Sequence, residues 1–446
     1  MGQGGGRRLR RRGRRRPGPA GAGSLIERTL VRDLPRRAGT GVRVCGWAQA
    51  VHPVLTLRDH TGTVDVVATH AAPATAIVPE SAVEVRGRVQ IDGGLRLVAD
   101  RLLVVGPAEA RPLPIDDRSS LDARLDWRYL DLRRPRNRLV FEVQTTAERA
   151  MRDWWARHGF LELHSPKLRA TPNRSGRELF TVQYFDRPAY LAQSPQFSKQ
   201  MAMSAGLDRV FEIGPVFRAN PLVTPRHDTE FVSVDVEVSW IESHEDLMEM
   251  EERWLRHVVA AVADEHGDRV EELLGRRVRV PDVPFPRMTM AEAQAVLAAA
   301  GHPSTAPAGD IDGDGERVVA AHVAAEHGHD LVFLTDYPAG VRPFYHMRLD
   351  DGSDLTRSFD LLWNGLEVTT GAQREHRYDR LLAQARTGDD PARADVLAPY
   401  LDFFRYGCPP HGGFGVGLSR VLTCLLGLAD VREATYLPRD RHRLSP

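Results

Sequence analysis

Residues 210–238 read VFEIGPVFRANPLVTPRHDTEFVSVDVEV. Two runs of alternating apolar residues flank a polar loop, which predicts two paired strands with the loop between them. Arg218, Arg226 and His227 stand at or near the ends of that loop. Guanidinium forks bind phosphate oxygens two at a time, so this arrangement suits a polyphosphate. A surface hairpin with solvated charges would give the same pattern, so the segment must be read with its neighbours.

Two more segments carry chemistry. Residues 357–376, RSFDLLWNGLEVTTGAQREH, break at Asn364-Gly365, and a hairpin turn there sets Asp360 and Glu367 on one side. Paired carboxylates can share a Mg²⁺ with nucleotide phosphates, although surface hairpins also carry acids. Arg374 follows a Thr-Thr-Gly bend and is placed to meet a carboxylate. Residues 407–420, GCPPHGGFGVGLSR, read as a glycine-rich loop running into an apolar helix, with Arg420 in its first turns. Glycines allow close backbone approach to a nucleotide, and a helix start favours anions.

Around these segments the pattern is mixed. Val140, Val143, Ala147, Met151 and Trp154 recur at helical spacing, and residues 160–163 read as a strand. A second amphipathic helix is expected over about 243–264 and another from near Met290, with strands at 209–213, 231–240 and 331–335. The fold class is α+β, helices grouped about an antiparallel sheet. From Leu25 to about Val105, short β-branched stretches alternate with turn residues such as Asp59-His60-Thr61-Gly62 and Asp92-Gly93-Gly94. Five or so strands there suggest a small all-β barrel of the OB type. The expected domains are an arginine-rich disordered tail (1–24), the barrel (25–108), a hinge (109–128) and the large domain (129–446).

Composition narrows the class. Hydrophobic residues make up 42% and charged residues 27%, with net charge zero, as in an ordinary globular enzyme. No apolar run approaches the roughly 20 residues of a membrane span, and the arginines of 6–16 are not followed by the apolar stretch of a secretory signal. Cys45, Cys408 and Cys424 are scattered and odd in number, which fits a reducing cytosol better than a disulfide framework or zinc site. Asp310-Ile-Asp-Gly-Asp-Gly resembles the start of an EF-hand loop, but position twelve is Ala321 where a glutamate is needed. It reads as a solvated turn before a helix.

In this order and spacing, the three segments resemble the signature motifs of class II aminoacyl-tRNA synthetases, in the aspartyl, asparaginyl and lysyl subgroup. The archaeal aspartyl type is the nearest in look. The words LDWRYLDLR (125–133) and GFLELHSP (159–166) resemble the subgroup's hinge and motif 1, whose proline, here Pro166, shapes a dimer interface. The resemblance implies an OB-fold anticodon-binding domain ahead of a class II catalytic domain. It also implies ATP and Mg²⁺ as cofactors, L-aspartate and tRNA as partners, a homodimer, no membrane, and a cytoplasmic location. It further implies catalytic roles for Arg218 and Arg420. ATP contacts follow for Arg218, Asn220, Arg226, His227, Asp228, Phe231, Glu367, Gly417, Ser419 and Arg420, and a metal pair for Asp360 and Glu367. Aspartate contacts fall on Gln196, Lys199, Arg218, Asp235, Thr370 and Arg374. Lys199, in YLAQSPQFSKQ (190–200), favours aspartate over asparagine: two buried cations welcome an anion and are left unpaired by an amide.

Four places depart from the resemblance. Between Thr171 and Arg177 the usual acid is missing, with Arg174 nearby; Asn220 replaces a glutamate; Ser419 replaces an acid; and the barrel loop after Trp47 is short, with Val54 where an aromatic is common. Base stacking on such an aromatic contributes about 1–3 kcal/mol. Aspartate activation is therefore expected to persist while tRNA recognition is altered. A paralogue serving another acceptor, or a non-catalytic relative, are the competing readings.

Overall fold

The structure, a computed structural model, describes residues 27–51, 54–68, 77–109, 115–170, 179–302, 306–307, 309–387 and 393–445. The arginine-rich tail, the loop around Arg174 and residues 52–53 of the short barrel loop lie outside them. The chain divides into two compact units, Met1–Pro114 and Ile115–Pro446.

In the first unit, β1 (Gly41–Ala50), β2 (Leu55–Asp59), β3 (Gly62–Ala68), β4 (Ala82–Ile91) and β5 (Leu95–Gly106) close into a barrel of order β1-β2-β3-β5-β4. Alternation builds it: Val44, Leu57, Val83, Val85, Val89 and Leu97 point inward and are completely buried. Leu34, from a short 3₁₀ turn, joins their cluster. Val54, just before β2, is exposed.

The second unit is built on an eight-stranded sheet and a three-stranded one. Its strands are β6 (Leu161–Glu162), β7 (Leu168–Arg169), β8 (Thr181–Tyr184), β9 (Arg187–Leu191), β10 (Arg209–Phe217), β11 (Glu230–Ser239), β12 (Arg287–Thr289), β13 (Leu331–Thr335), β14 (Ser358–Trp363), β15 (Leu366–Gln373) and β16 (His411–Gly417). The large sheet runs β12-β13-β14-β15-β16-β11-β10-β6, antiparallel except for the β12/β13 and β6/β10 pairs; β7-β9-β8 form the small one. Helices Pro135–Arg157 and His244–Leu274 pack on one face of the large sheet. Trp155 and Trp254 stack there with centroids 5.2 Å apart, beside Phe414. Period-2 alternation then turns Asp235, Glu237 and Asp360 to the other face, opposite Val234, Val236, Phe359 and Leu361 in the core.

Two expectations need correction. The second helix continues past residue 264 to Leu274, where Gly275 at φ 66° ends it. Residues 407–420 are not a loop: His411–Gly417 is a central strand between β11 and β15. Its glycines make room sideways, since a Cβ on Gly413 would overlap the Val236 carbonyl and the Glu237 carboxylate. The segment expected as a hinge, 109–128, carries secondary structure of its own. Leu121–Asp126 is helical, Arg124 is paired to Asp131 (3.1 Å) and Glu433 (3.0 Å), and Arg128 donates to the carbonyls of Glu433, Thr435 and Tyr436. LDWRYLDLR is thus a clamp on the C-terminal segment.

Candidate active site

Asn364 and Gly365 both adopt positive φ, 52° and 76°, which is the type I′ turn that Asn-Gly specifies. The turn pairs Leu362 with Glu367 and so brings Glu367 to the face of Asp360. One extra residue at Val368 then shifts the register, so Thr370 rather than Thr369 lies opposite Asp360. Thr370 Oγ1 donates to Glu367 Oε1 at 3.0 Å. Thr369 is turned to the helical face, against the buried carboxyl of Glu251.

A single cavity gathers Gln196, Arg218, Asn220, Arg226, His227, Asp228, Phe231, Asp235, Glu367, Thr370, Arg374, Gly417, Ser419 and Arg420. At the end of the cavity that holds Phe231 and Arg420, Arg218 follows β10 and its guanidinium lies 5.3 Å from the Phe231 ring centroid. Arg420 donates to the carbonyls of Glu367 (2.6 Å) and Arg226 (3.2 Å). Burial, reinforced by Arg420 and Arg226, lowers His227 to about 4, so it is neutral at neutral pH. Burial raises Asp228 to about 6; its Oδ2 accepts from Thr435, and Oδ1 has no partner. Asn220 Oδ1 accepts from the Leu222 amide (3.0 Å) and shapes the loop.

Asp360 does not line the open cavity; it sits beneath, bonded through Oδ2 to Arg342 (2.6 Å), which lies 3.5 Å over the Tyr337 ring. Burial and the nearby Glu367 raise the Asp360 pKa. Burial acts on Glu367 too, but Arg420 and Arg342 outweigh it and hold that carboxyl below its ordinary value.

Around Arg374 lies a network of buried charge. Arg374 donates to Glu237 through Nε (3.0 Å) and Nη2 (3.4 Å), and to the Gly413 carbonyl (2.7 Å). Lys199, on helix Gln196–Ser204, approaches Asp235 (3.0 Å) and Glu237 (3.3 Å) and donates to the Val236 and Phe414 carbonyls. Lys199 and Arg374 therefore converge on Glu237, with Asp235 beside Lys199. Lys199 lies outside the main cavity, in an adjoining recess with Ser198, Glu212 and Asp235. Two bare cations become a compensated quartet, because an ion in a dry site needs its counter-ion. Burial raises the Glu237 carboxyl, and Arg374 and Lys199 together overcome that and lower it. His411, completely buried, is held down to about 4 mainly by burial.

Arg342, Tyr345 and His346 also line the cavity and were missed by sequence reasoning. Their signal is the polar and aromatic run VRPFYH (341–346) soon after the buried strand β13. Pro166 lies apart from the cavity. Near it in sequence, Leu161, Leu168 and Phe185 are exposed, the last at 84%.

The chain matches the tRNA synthetases class II (D, K and N) over residues 120–441. It is 41% identical to aspartate–tRNA(Asp/Asn) ligase of Aeropyrum pernix, covering 94% of this chain and 98% of that one. It is 39% identical to aspartate–tRNA(Asp) ligase of Pyrococcus abyssi, over 92% and 97%. Among solved structures, asparaginyl-tRNA synthetase from Pyrococcus horikoshii with asparaginyl-adenylate superposes with a TM-score of 0.86 at 30% identity, covering 95% and 100% of the two chains. Aspartyl-tRNA synthetase from Entamoeba histolytica gives 0.80 at 28%, over 94% and 93%.

Proposed function

We propose, from the premise that this chain belongs to the class II tRNA synthetases (D, K and N), that it activates L-aspartate with ATP and transfers it to the 3′ end of tRNA(Asp), and also of tRNA(Asn). One observation carries the reading: a single cavity joins Arg218, Arg226 and Arg420 to Arg374, a buried guanidinium anchored on Glu237.

The chemistry needs no protein nucleophile. Arg218 and Arg420 would bind the ATP phosphates, with Phe231 beside the base, and hold the α-phosphorus in line with the aspartate α-carboxylate. Attack displaces pyrophosphate and leaves aspartyl-adenylate; a terminal ribose hydroxyl of tRNA then displaces AMP. Asp235, Gln196 and Thr370 line the place for the ammonium and carboxylate of the amino acid, and Arg374, anchored by Glu237, faces its side chain. The cations stabilise charge that builds on the phosphorus without reorganising.

Asp360 and Glu367 fit Mg²⁺. Asp360 Oδ1 is a buried acceptor that meets no donor in hydrogen-bond geometry among the described residues, and Glu367 stands on the same face. Among the described residues no three His, Cys, Asp or Glu side chains form a metal site, so nucleotide phosphates would complete the shell, as Mg²⁺ commonly requires. When bound, the ion neutralises phosphate charge. Pro166 and the exposed apolar residues Leu161, Leu168 and Phe185 support a homodimer. No described helix is long and apolar enough to cross a membrane; a cytoplasmic location is supported by the family alone.

Purified protein, labelled aspartate or asparagine, and separate tRNA(Asp) and tRNA(Asn) transcripts test this. Aspartate-dependent pyrophosphate exchange and charging of both transcripts are expected. Exchange with asparagine alone would overturn the substrate; aspartate-dependent AMP release that never charges tRNA would point to another acceptor, a route the exposed Val54 makes worth checking.

A further inference from the structure

The segment Asp310–Gly315, with its failed likeness to a calcium loop, has a place in the site. Asp312 caps the helix Gly313–His327 by accepting from the Gly315 amide at 2.8 Å. Arg226, from the loop between β10 and β11, lays its guanidinium against Gly313; a Cβ there would overlap its Nη1. Arg226 Nη2 pairs with Glu316 Oε2, one turn on, and the same oxygen accepts the Glu367 amide at 3.0 Å. The hairpin tip also rests on this helix, since a Cβ at Gly365 would strike the backbone of Arg317. Glu316 is 8% exposed. One buried carboxylate thus ties together a loop arginine, the strand bearing Glu367, and a helix that supplies no group of its own to the cavity.

We infer that Gly313 and Glu316 form a seat that positions Arg226, and with it the 218–229 loop, over the phosphate-binding half of the cavity. Glu316 is a positioning residue: it touches neither substrate nor metal and acts through Arg226 and the Glu367 backbone. A Cβ at 313 would push the guanidinium off its present place on the helix start. Only a side chain reaching from the next turn can accept both bonds. The inference deepens the proposed function, since it rests on Arg226 meeting ATP phosphates.

Aspartate-dependent ATP–pyrophosphate exchange by the full chain tests it, with Gly313→Ala, Glu316→Ala, Glu316→Gln, Arg226→Ala and the Arg226→Ala/Gly313→Ala pair. Losing a charge-assisted hydrogen bond corresponds to about a tenfold effect. Glu316→Ala and Gly313→Ala should therefore each raise the KM for ATP about tenfold and leave the KM for aspartate within about twofold. Glu316→Gln, whose amide oxygen can accept both bonds, should recover most of that loss. On the Arg226→Ala background, Gly313→Ala should add nothing, because the group it displaces is gone. An unchanged KM for ATP in Gly313→Ala, or full additivity in the pair, would overturn the seat. If the unaltered chain shows no exchange with any amino acid, the activity reading has failed instead. Hydrogen exchange of the 218–229 amides then decides the seat by itself: faster exchange in Gly313→Ala and Glu316→Ala but not Glu316→Gln supports it, and equal protection in all overturns it.

Discussion

The two halves of the cavity hold their cations differently. In the nucleotide half, Arg420 is bonded to backbone carbonyls and lies near the Glu367 carboxylate, and it keeps 18% of its side chain exposed. At the other end Arg374, with Lys199 just outside the cavity wall, is neutralised by Glu237 and Asp235 on one strand, the two cations being 3% and 5% exposed. Carbonyl partners can be exchanged for phosphate oxygens at little cost. A buried ion pair cannot be opened so cheaply. Under the proposed function, the difference teaches that one half would accept and release a polyanion, while the other would keep a rigid electrostatic shape for a small amino acid.

The largest test of that contrast is Glu237→Ala. It strands Arg374 and Lys199 without a counter-ion, and should lower unfolding free energy by about 3–5 kcal/mol while abolishing exchange; urea denaturation would read it. Arg420→Ala should do the reverse, costing about 3 kcal/mol in kcat/KM for ATP with stability changed by less than about 1 kcal/mol. Equal stability losses in the two variants would erase the distinction.

A smaller effect probes the layer behind the sheet. Glu251 is completely buried, its carboxyl oxygens lack hydrogen-bond geometry, and burial, with Glu252 and Asp360 adding, raises it to about 8. The folded chain keeps this proton where an unfolded glutamate has released it. The contribution to stability is therefore full below the ordinary value of 4.5 and is lost as pH rises towards 8. Glu251→Gln should flatten that slope, giving a gain over the parent of roughly 1–3 kcal/mol at pH 9 that vanishes near pH 5. Thermal melts across that range would show it, and parallel curves would refute it. The smallest effect is ionic: between 50 and 300 mM salt the KM for ATP should rise by about twofold to threefold, while that for aspartate stays flat, since screening reaches exposed charges and hardly touches buried ones.

Much of this was legible in the residues. The Asn-Gly turn told where β14 meets β15, and with it that Asp360 and Glu367 share a face. Apolar spacing marked both long helices, because a buried stripe must recur every three to four residues. The order of Arg218, Arg374 and Arg420 with the paired acids carried the resemblance to the class II synthetase motifs, and that resemblance named the chemistry. Glycines misled: in 411–417 they read as a nucleotide loop, yet they are a strand thinned to admit Glu237. Nothing local distinguishes the two, since the crowding comes from another strand.

Local pattern, then, determined which elements form and which residue types the site contains, because backbone preferences and side-chain periods act over a few residues. Tertiary structure alone decided who neutralises whom. Lys199 and Glu237 are 38 positions apart, Arg374 and Glu237 are 137, and Arg226 and Glu316 are 90. Burial makes each such charge seek a counter-ion, but which one it finds is settled only when distant strands and helices come to lie side by side.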